Sequence, residues 1–144
     1  MTGEELRRRY TAGERDFSEV DLSEAMVTGS VSDEDFFVEI DLRGIDFSGA
    51  NLSRADLSGA NFTDANFSGA NLKRCWMYKC NLTRANSSQA DLTQVTMTES
   101  TMEYTNFTGA NLREASVSDF RRSPDLTGVQ NLHTVTNYSN INDS

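Results

Sequence analysis

Ala50-Asn51-Leu52-Ser53-Arg54 is followed at once by Ala55-Asp56-Leu57-Ser58-Gly59, and both quintets have the same order: small, Asp or Asn, large apolar, Ser, then a variable residue. Ala70-Asn71-Leu72-Lys73-Arg74 repeats it with Lys73 in place of Ser. Working outward, the large position recurs every five residues from Phe17 to Val117, and only Ser32 and Ser87 break its apolar character. Two residues before it stands a small side chain, as in Ala25, Ala65, Ala85, Ala90, Ala110 and Ala115.

A period of five fits neither the helical 3.6 nor the strand repeat of 2, so neither element can keep such a stripe on one side. A chain that turns a corner every quintet can. The small residue then sits where the wall bends, and the large one fills the bore. Repetition of this kind marks a solenoid whose units bury their apolar side only by stacking on neighbours.

These quintets resemble the pentapeptide-repeat family, and the match extends over residues 15 to 119. The resemblance implies an all-β fold, a right-handed quadrilateral β-helix with four quintets per coil. It implies about five coils, residues twenty apart stacked at roughly 4.8 Å, and a rod near 25 Å long. On that stacking Phe17 lies under Phe37 and Leu57, Leu22 under Leu42, and Val27 under Phe47.

The domain expectation is a single unit over 1–144: a helical cap at 1–14, the repeat solenoid at 15–119, and a C-terminal cap or irregular tail at 120–144. Thr2 followed by Glu5 reads as a capping box, Leu6 and Tyr10 share a helical face, and Gly13 supplies a stop, which predicts a short capping α-helix over 3–12. Leu6 to Phe17 also resembles the N-terminal caps of cyanobacterial members of the family. At the far end the register fails after Val117. Either Ser123 and Pro124 open a short cap helix, or irregular structure drapes over the last coil. Between Val27 and Phe37 the signature lapses, with Ser32 and Asp35 in inward places, which reads as a loose first coil or as a bulge.

The net charge of the 144 residues is −9, with a pI near 4.5. Up to Asp41 twelve acids face four arginines; from Leu42 onward ten acids face nine bases. Such a balance argues against nucleic acid and anionic membrane as partners. No apolar run approaches the length of a bilayer span and no signal-peptide pattern opens the chain, so cytoplasmic residence is the expectation.

Catalysis finds no support in the pattern: a filled bore leaves no cleft, and the single histidine, His133, lies in the tail. No enzyme activity, cofactor, metal or small-molecule substrate is expected. Cys75 and Cys80 take the small inward position and read as buried stand-ins for Ala.

Outward positions are nearly all polar, yet Phe36, Val38, Trp76 and Tyr78 break the rule on one side of the square, with Lys79 beside them and Met26 round the corner. Such a cluster is either a contact patch or a surface covered by cap or tail. On another side Glu34, Arg54, Arg74, Gln94 and Glu114 form a charge ladder in which the stacked arginines repel unless acids, an anion or an acidic partner intervene. Asn66, Asn86 and Asn106 are expected to bond up and down the stack. The preferred function is a non-enzymatic scaffold or protein-interaction module whose candidate partner-binding face is Phe36, Val38, Trp76, Tyr78 and Lys79. A second copy of the chain is one candidate partner. The alternative, known for some members of the family, is mimicry of DNA toward a type II topoisomerase such as gyrase.

Overall fold

The computed structural model describes residues 1–28, 39–117 and 124–136. Within them the element that matters is the corner. The residue two after each large apolar position is left-handed: Arg54, Asp64, Arg74, Lys79 and Arg84 have φ between 56° and 62°, and Gly49 and Gly69 stand at 66° and 65°. The amide three after the large residue closes the turn, as Ala55 N–H donates to Leu52 O at 3.1 Å and Ala65 N–H to Phe62 O at 2.9 Å. That combination is a type II turn.

Where the residue before the large one is Asp or Asn, it tightens the approach to the corner. Asn51 Oδ1 accepts from Ser53 N–H at 3.2 Å, and Asn66, Asn86 and Asn106 do the same for Ser68, Ser88 and Thr108 at 3.0, 3.0 and 2.8 Å. This corrects the expectation of vertical Asn bonds, because the nearest unsatisfied donor is the amide two residues on, already held within reach by the turn. In this row the vertical bonds are the backbone's, whereas Asn131 Nδ2–H does reach Asn111 Oδ1 at 2.8 Å in the last coil. Phe67 N–H donates to Asn86 O at 2.6 Å, and Asn86 N–H to Ala65 O at 2.9 Å.

The walls pair in parallel. Ile40–Asp41 (β1) pairs with Ala60–Asn61 (β2), and Thr96–Met97 (β3) with Ser116–Val117 (β4). Single-rung bridges fill the other sides, as in Asp46 to Asn66 to Asn86 to Asn106. Inside, the rungs are buried: Leu42, Phe62 and Leu82 on one side, Phe47, Phe67 and Phe107 on the next, then Leu52, Leu72 and Leu112, then Leu57, Met77 and Val117. Phe47 and Phe67 stack with centroids 5.7 Å apart, and Phe62 meets Phe67 edge-on at 5.0 Å. Ser100 and Thr105, polar residues in the small position, donate to the carbonyls of Met77 at 2.6 Å and Leu82 at 2.7 Å in the coil below. That is how the wall absorbs hydroxyls.

The first coil is stacked differently from the expectation. Asp16, Asp21 and Met26 pair with Asp46, Asn51 and Asp56, thirty residues on, whereas Ile40 pairs with Ala60, twenty on. Phe17 therefore lies under Phe47, with centroids 6.3 Å apart, and not in the column of Leu57, while Phe37 is outside the described residues. Ten extra residues are two quintets, so the five-residue phase survives while the columns shift by two sides. The bulge expected near residues 28–36 lies almost wholly outside the described residues.

The last coil departs by a single residue. Asp125 pairs with Asn106 and Gln130 with Asn111, nineteen apart, before Thr136 returns to twenty from Ser116. Pro124-Asp125-Leu126-Thr127-Gly128 is thus a repeat unit, with Thr127 N–H on Asp125 Oδ1 at 2.9 Å and Gly128 left-handed at φ 66°. Pro124 opens a wall, not a helix. The one-turn 3-10 helix Leu132–Thr134 (η1) follows, past a left-handed Asn131.

At the other end Gly3–Thr11 (α1) forms where expected. Thr2 Oγ1 accepts from Glu5 N–H at 3.1 Å, and Leu6 and Tyr10 are buried against the first coil. Tyr10 Oη donates to Arg43 O at 2.7 Å and Arg7 to Val27 O at 2.6 Å, which ties the helix to two sides of the first coil. The contact is tightest at Gly3, where an added Cβ would lie 2.0 Å from Met26 O and 2.6 Å from Val27 Cα. Gly3→Ala must lift the helix off backbone that cannot yield, and is expected to cost about 1–3 kcal/mol in urea unfolding. Gly69→Asn is the contrast: the position is left-handed but has open space around it, so the loss should stay near 1 kcal/mol or below.

Candidate functional site

Met26, Asp56, Trp76 and Thr96 form one vertical row of outward residues, each bridged to the next. Met26 is 54% exposed and Trp76 50%, with Asp56 between them. Tyr78, two residues past Trp76, is 36% exposed and stands above Ser58, whose Oγ accepts from Tyr78 N–H at 3.3 Å. Met26 therefore belongs to the same side as Trp76, not round the corner, because the first coil is set two sides on. Phe36 and Val38 lie outside the described residues.

Tyr78 is held in place. Its hydroxyl donates to Glu99 Oε2 at 3.1 Å, Lys79 Nζ lies 5.2 Å from its ring centroid, and Lys79 meets Glu99 at 3.7 Å. A ring fixed by hydrogen bond and cation loses little entropy on meeting a partner.

At the corner before this side, Arg54 and Arg74 stack, and with Lys73 they border an open hollow of about 350 Å³. Arg54 reaches Glu24 at 3.5 Å, Lys73 reaches Asp91 at 3.3 Å, and Arg74 Nε–H donates to Gln94 Oε1 at 2.8 Å. The ladder therefore starts on Glu24 in the first coil, where a uniform twenty-residue stacking puts Glu34.

Cys75 and Cys80 are free and buried. Burial pushes the Cys80 thiol up to about 12 against the lowering effect of the Ala60 and Gly59 backbone amides, its S–H donates to Leu57 O at 3.1 Å, and burial pushes Cys75 up as well. Both are inert at neutral pH. Among the described residues no group of three or more His, Cys, Asp or Glu is placed to hold a metal ion, and no helix is long and apolar enough to cross a membrane.

The family model for pentapeptide repeats matches residues 40–77 and 75–113, together about half the chain. The chain belongs to the pentapeptide-repeat family. Its square coil is the family's right-handed quadrilateral β-helix, here with a short N-terminal helix. No curated protein matches. Among solved structures this pentapeptide-repeat chain is similar to Rfr23 of the cyanobacterium Cyanothece 51142, with 21% identity over 94% of this chain and 97% of that one and a TM-score of 0.47. It is similar also to HetL of Nostoc sp. strain PCC 7120, a protein involved in heterocyst differentiation regulation, at 20% identity over 90% and 70% with a TM-score of 0.29. QnrB1, a plasmid-mediated fluoroquinolone resistance protein, matches at 22% identity over 87% of this chain and 58% of its own, with a TM-score of 0.40.

Aspartates of the repeat carry its pH sensitivity. The side-chain bond from Arg43, helped by the Arg43 amide, holds the Asp41 carboxyl down at about 2, against an ordinary 3.8. Asp64 is lowered by Arg84, and Asp16 and Asp21 by bonds from Ser18 and Ser23. Carboxyls lowered on folding stabilise the coil fully above their ordinary value, and that stabilisation fades as pH falls through the folded value. The melting temperature is expected to be flat down to pH near 4 and to drop between 3.8 and about 2. Asp41→Asn, which keeps an acceptor for the Arg43 amide but loses the charge, should melt lower at neutral pH and narrow that drop.

Proposed function

We propose that this pentapeptide-repeat chain is a non-enzymatic interaction module that docks a partner protein on the side bearing Met26, Trp76 and Tyr78, with Lys79 at its edge. The observation that carries this reading is the exposure of three large apolar side chains in one small area of a wall otherwise lined by Asn, Asp, Ser and Thr. Trp and Tyr are the residue types that dominate binding energy when a partner desolvates them. The rigid ladder beneath adds a second support, because nothing on this side has to be ordered before contact.

The filled bore bears on the enzymatic alternative. Acid–base chemistry needs a cleft that shifts and pairs its groups, and here the apolar rungs occupy the interior.

DNA mimicry toward gyrase is the rival that a fluoroquinolone-resistance relative brings to mind. It needs negative charge spaced along a side as phosphates are. The row that starts Asp16, Asp46 is interrupted by the neutral Asn66, Asn86 and Asn106 before it ends on Asp125, and basic Arg54, Lys73 and Arg74 occupy another side. Gyrase supercoiling is therefore expected to run undiminished at micromolar concentrations of this protein, and inhibition would restore the rival.

The docking side is tested with Trp76→Ala plus Tyr78→Ala. Both rings are on the surface, so the melting temperature should stay near that of the unaltered protein. Affinity for proteins captured by the unaltered chain should fall by about 2 kcal/mol or more, roughly thirtyfold. Capture of the same set at undiminished affinity removes this side from consideration, and light scattering across concentration shows whether a second copy is the occupant.

A further inference from the structure

We infer that the partner segment is acidic, its carboxylates seated on Arg54, Lys73 and Arg74 while its apolar part covers Trp76; this rests on the docking side proposed above and names its chemistry.

The charge arithmetic of the hollow is the first support. Three cations converge there, and the carboxylates that meet them, Glu24 at 3.5 Å from Arg54 and Asp91 at 3.3 Å from Lys73, number two. Arg74 has a neutral partner, the Gln94 carbonyl oxygen at 2.8 Å, and Gln94 passes its own amide N–H to Glu114 Oε2 at 2.7 Å. Among the described residues Arg74 has no carboxylate partner. A cationic hollow is thus kept open on a chain whose net charge is −9. Stacked guanidiniums repel one another unless an anion bridges them, and their forked donors suit a carboxylate.

Position is the second support. Arg74, Cys75 and Trp76 are consecutive, with Cys75 turned into the wall, so the guanidinium and the indole flank one corner. Arg54 stands likewise one residue before Ala55 and two before Asp56. A peptide that covers Trp76 and continues over this corner meets Arg74 and then Arg54. Lys79, already paired with Glu99, holds the opposite edge of the same side.

The hollow suits a side-chain carboxylate better than a small free anion. Phosphate cradles rely on free backbone amides, and here Arg54 N–H is held by Lys73 O and Arg74 N–H by Thr93 O, each at 2.9 Å. Recognition therefore falls to side chains, with the indole supplying contact area that a phosphate ion cannot use.

The test is fluorescence anisotropy of a labelled peptide in which glutamates flank a central leucine, with the glutamine counterpart as control. The glutamate peptide should bind, the glutamine peptide should not, and affinity should fall as salt rises. Arg54→Glu plus Arg74→Glu should weaken binding by about tenfold or more. Arg54→Gln plus Arg74→Gln, which places no new acid beside Glu24, should weaken it in the same direction and guards against misfolding of the first pair. Undiminished binding by both pairs, or no binding of the glutamate peptide to the unaltered protein, overturns the inference. So does displacement by inorganic phosphate at peptide-like concentration, which would make the hollow a simple anion site. If Trp76→Ala plus Tyr78→Ala abolishes binding while both arginine pairs retain it, the docking side stands and the acidic partner falls. If only the arginine pairs matter, the docking side itself falls and takes this inference with it.

Discussion

Every coil of this protein depends on a left-handed residue at each corner. For a non-glycine residue that conformation costs roughly 1 kcal/mol or more, yet Glu19, Glu24, Arg54, Asp64, Arg74, Lys79, Arg84 and others adopt it. The cost is offset locally by the turn bond from the small residue and by the Asx oxygen that holds the amide before the corner. It is also offset by stacking, since Arg54 N–H, at its corner, donates to Lys73 O one coil away. A corner is thus stable only as a member of a ladder, which makes the solenoid cooperative along its axis and explains why the helix α1 is pinned to the first coil.

The same constraint decides where chemistry can appear. Inward positions are committed to core and the residue before each to an Asx turn, so the corner and the position ahead of it are the freest to vary. Arg54, Arg74, Lys79, Glu99 and Tyr104 are all corner residues, and Trp76 is a departure in the Asx row. Replacing Asx by Trp at 76 gives up the oxygen that Asn71 and Asn81 supply to Lys73 and Thr83. That loss is easier to understand for a side chain that serves contact with another molecule than for one that serves the wall.

What could be read from the sequence follows from what the quintet encodes. It encodes which residue turns inward, so the filled bore, the buried Cys75 and Cys80, and the outward Trp76 and Tyr78 were all legible. It does not encode how many quintets lie between stacked rungs. Spacings of thirty and of twenty are both multiples of five, so counting by fives could not separate Phe17 under Phe47 from the uniform stacking. The lapse in signature around Ser32 was the available clue, and it points to a place without revealing a count. At the far end the opposite happened: one missing residue broke the phase and hid Pro124-Asp125-Leu126-Thr127-Gly128, although the unit itself is legible once the register is allowed to slip.

A spacing of thirty instead of twenty leaves the described inward residues in phase but shifts the columns of the first coil by two sides. That shift sets Met26 beneath Asp56 and Trp76, and Glu24 beside Arg54, so both the apolar side and the cationic corner draw residues from the first coil that uniform stacking would place elsewhere. Surface composition in such a solenoid is therefore fixed by coil count as much as by residue identity, and an insertion that costs the core nothing can assemble or disperse a binding side. For the same reason the aligned row from Met26 to Trp76 cannot be judged from either coil alone: it exists only because the ladder holds the two at a register that the repeat pattern itself leaves free.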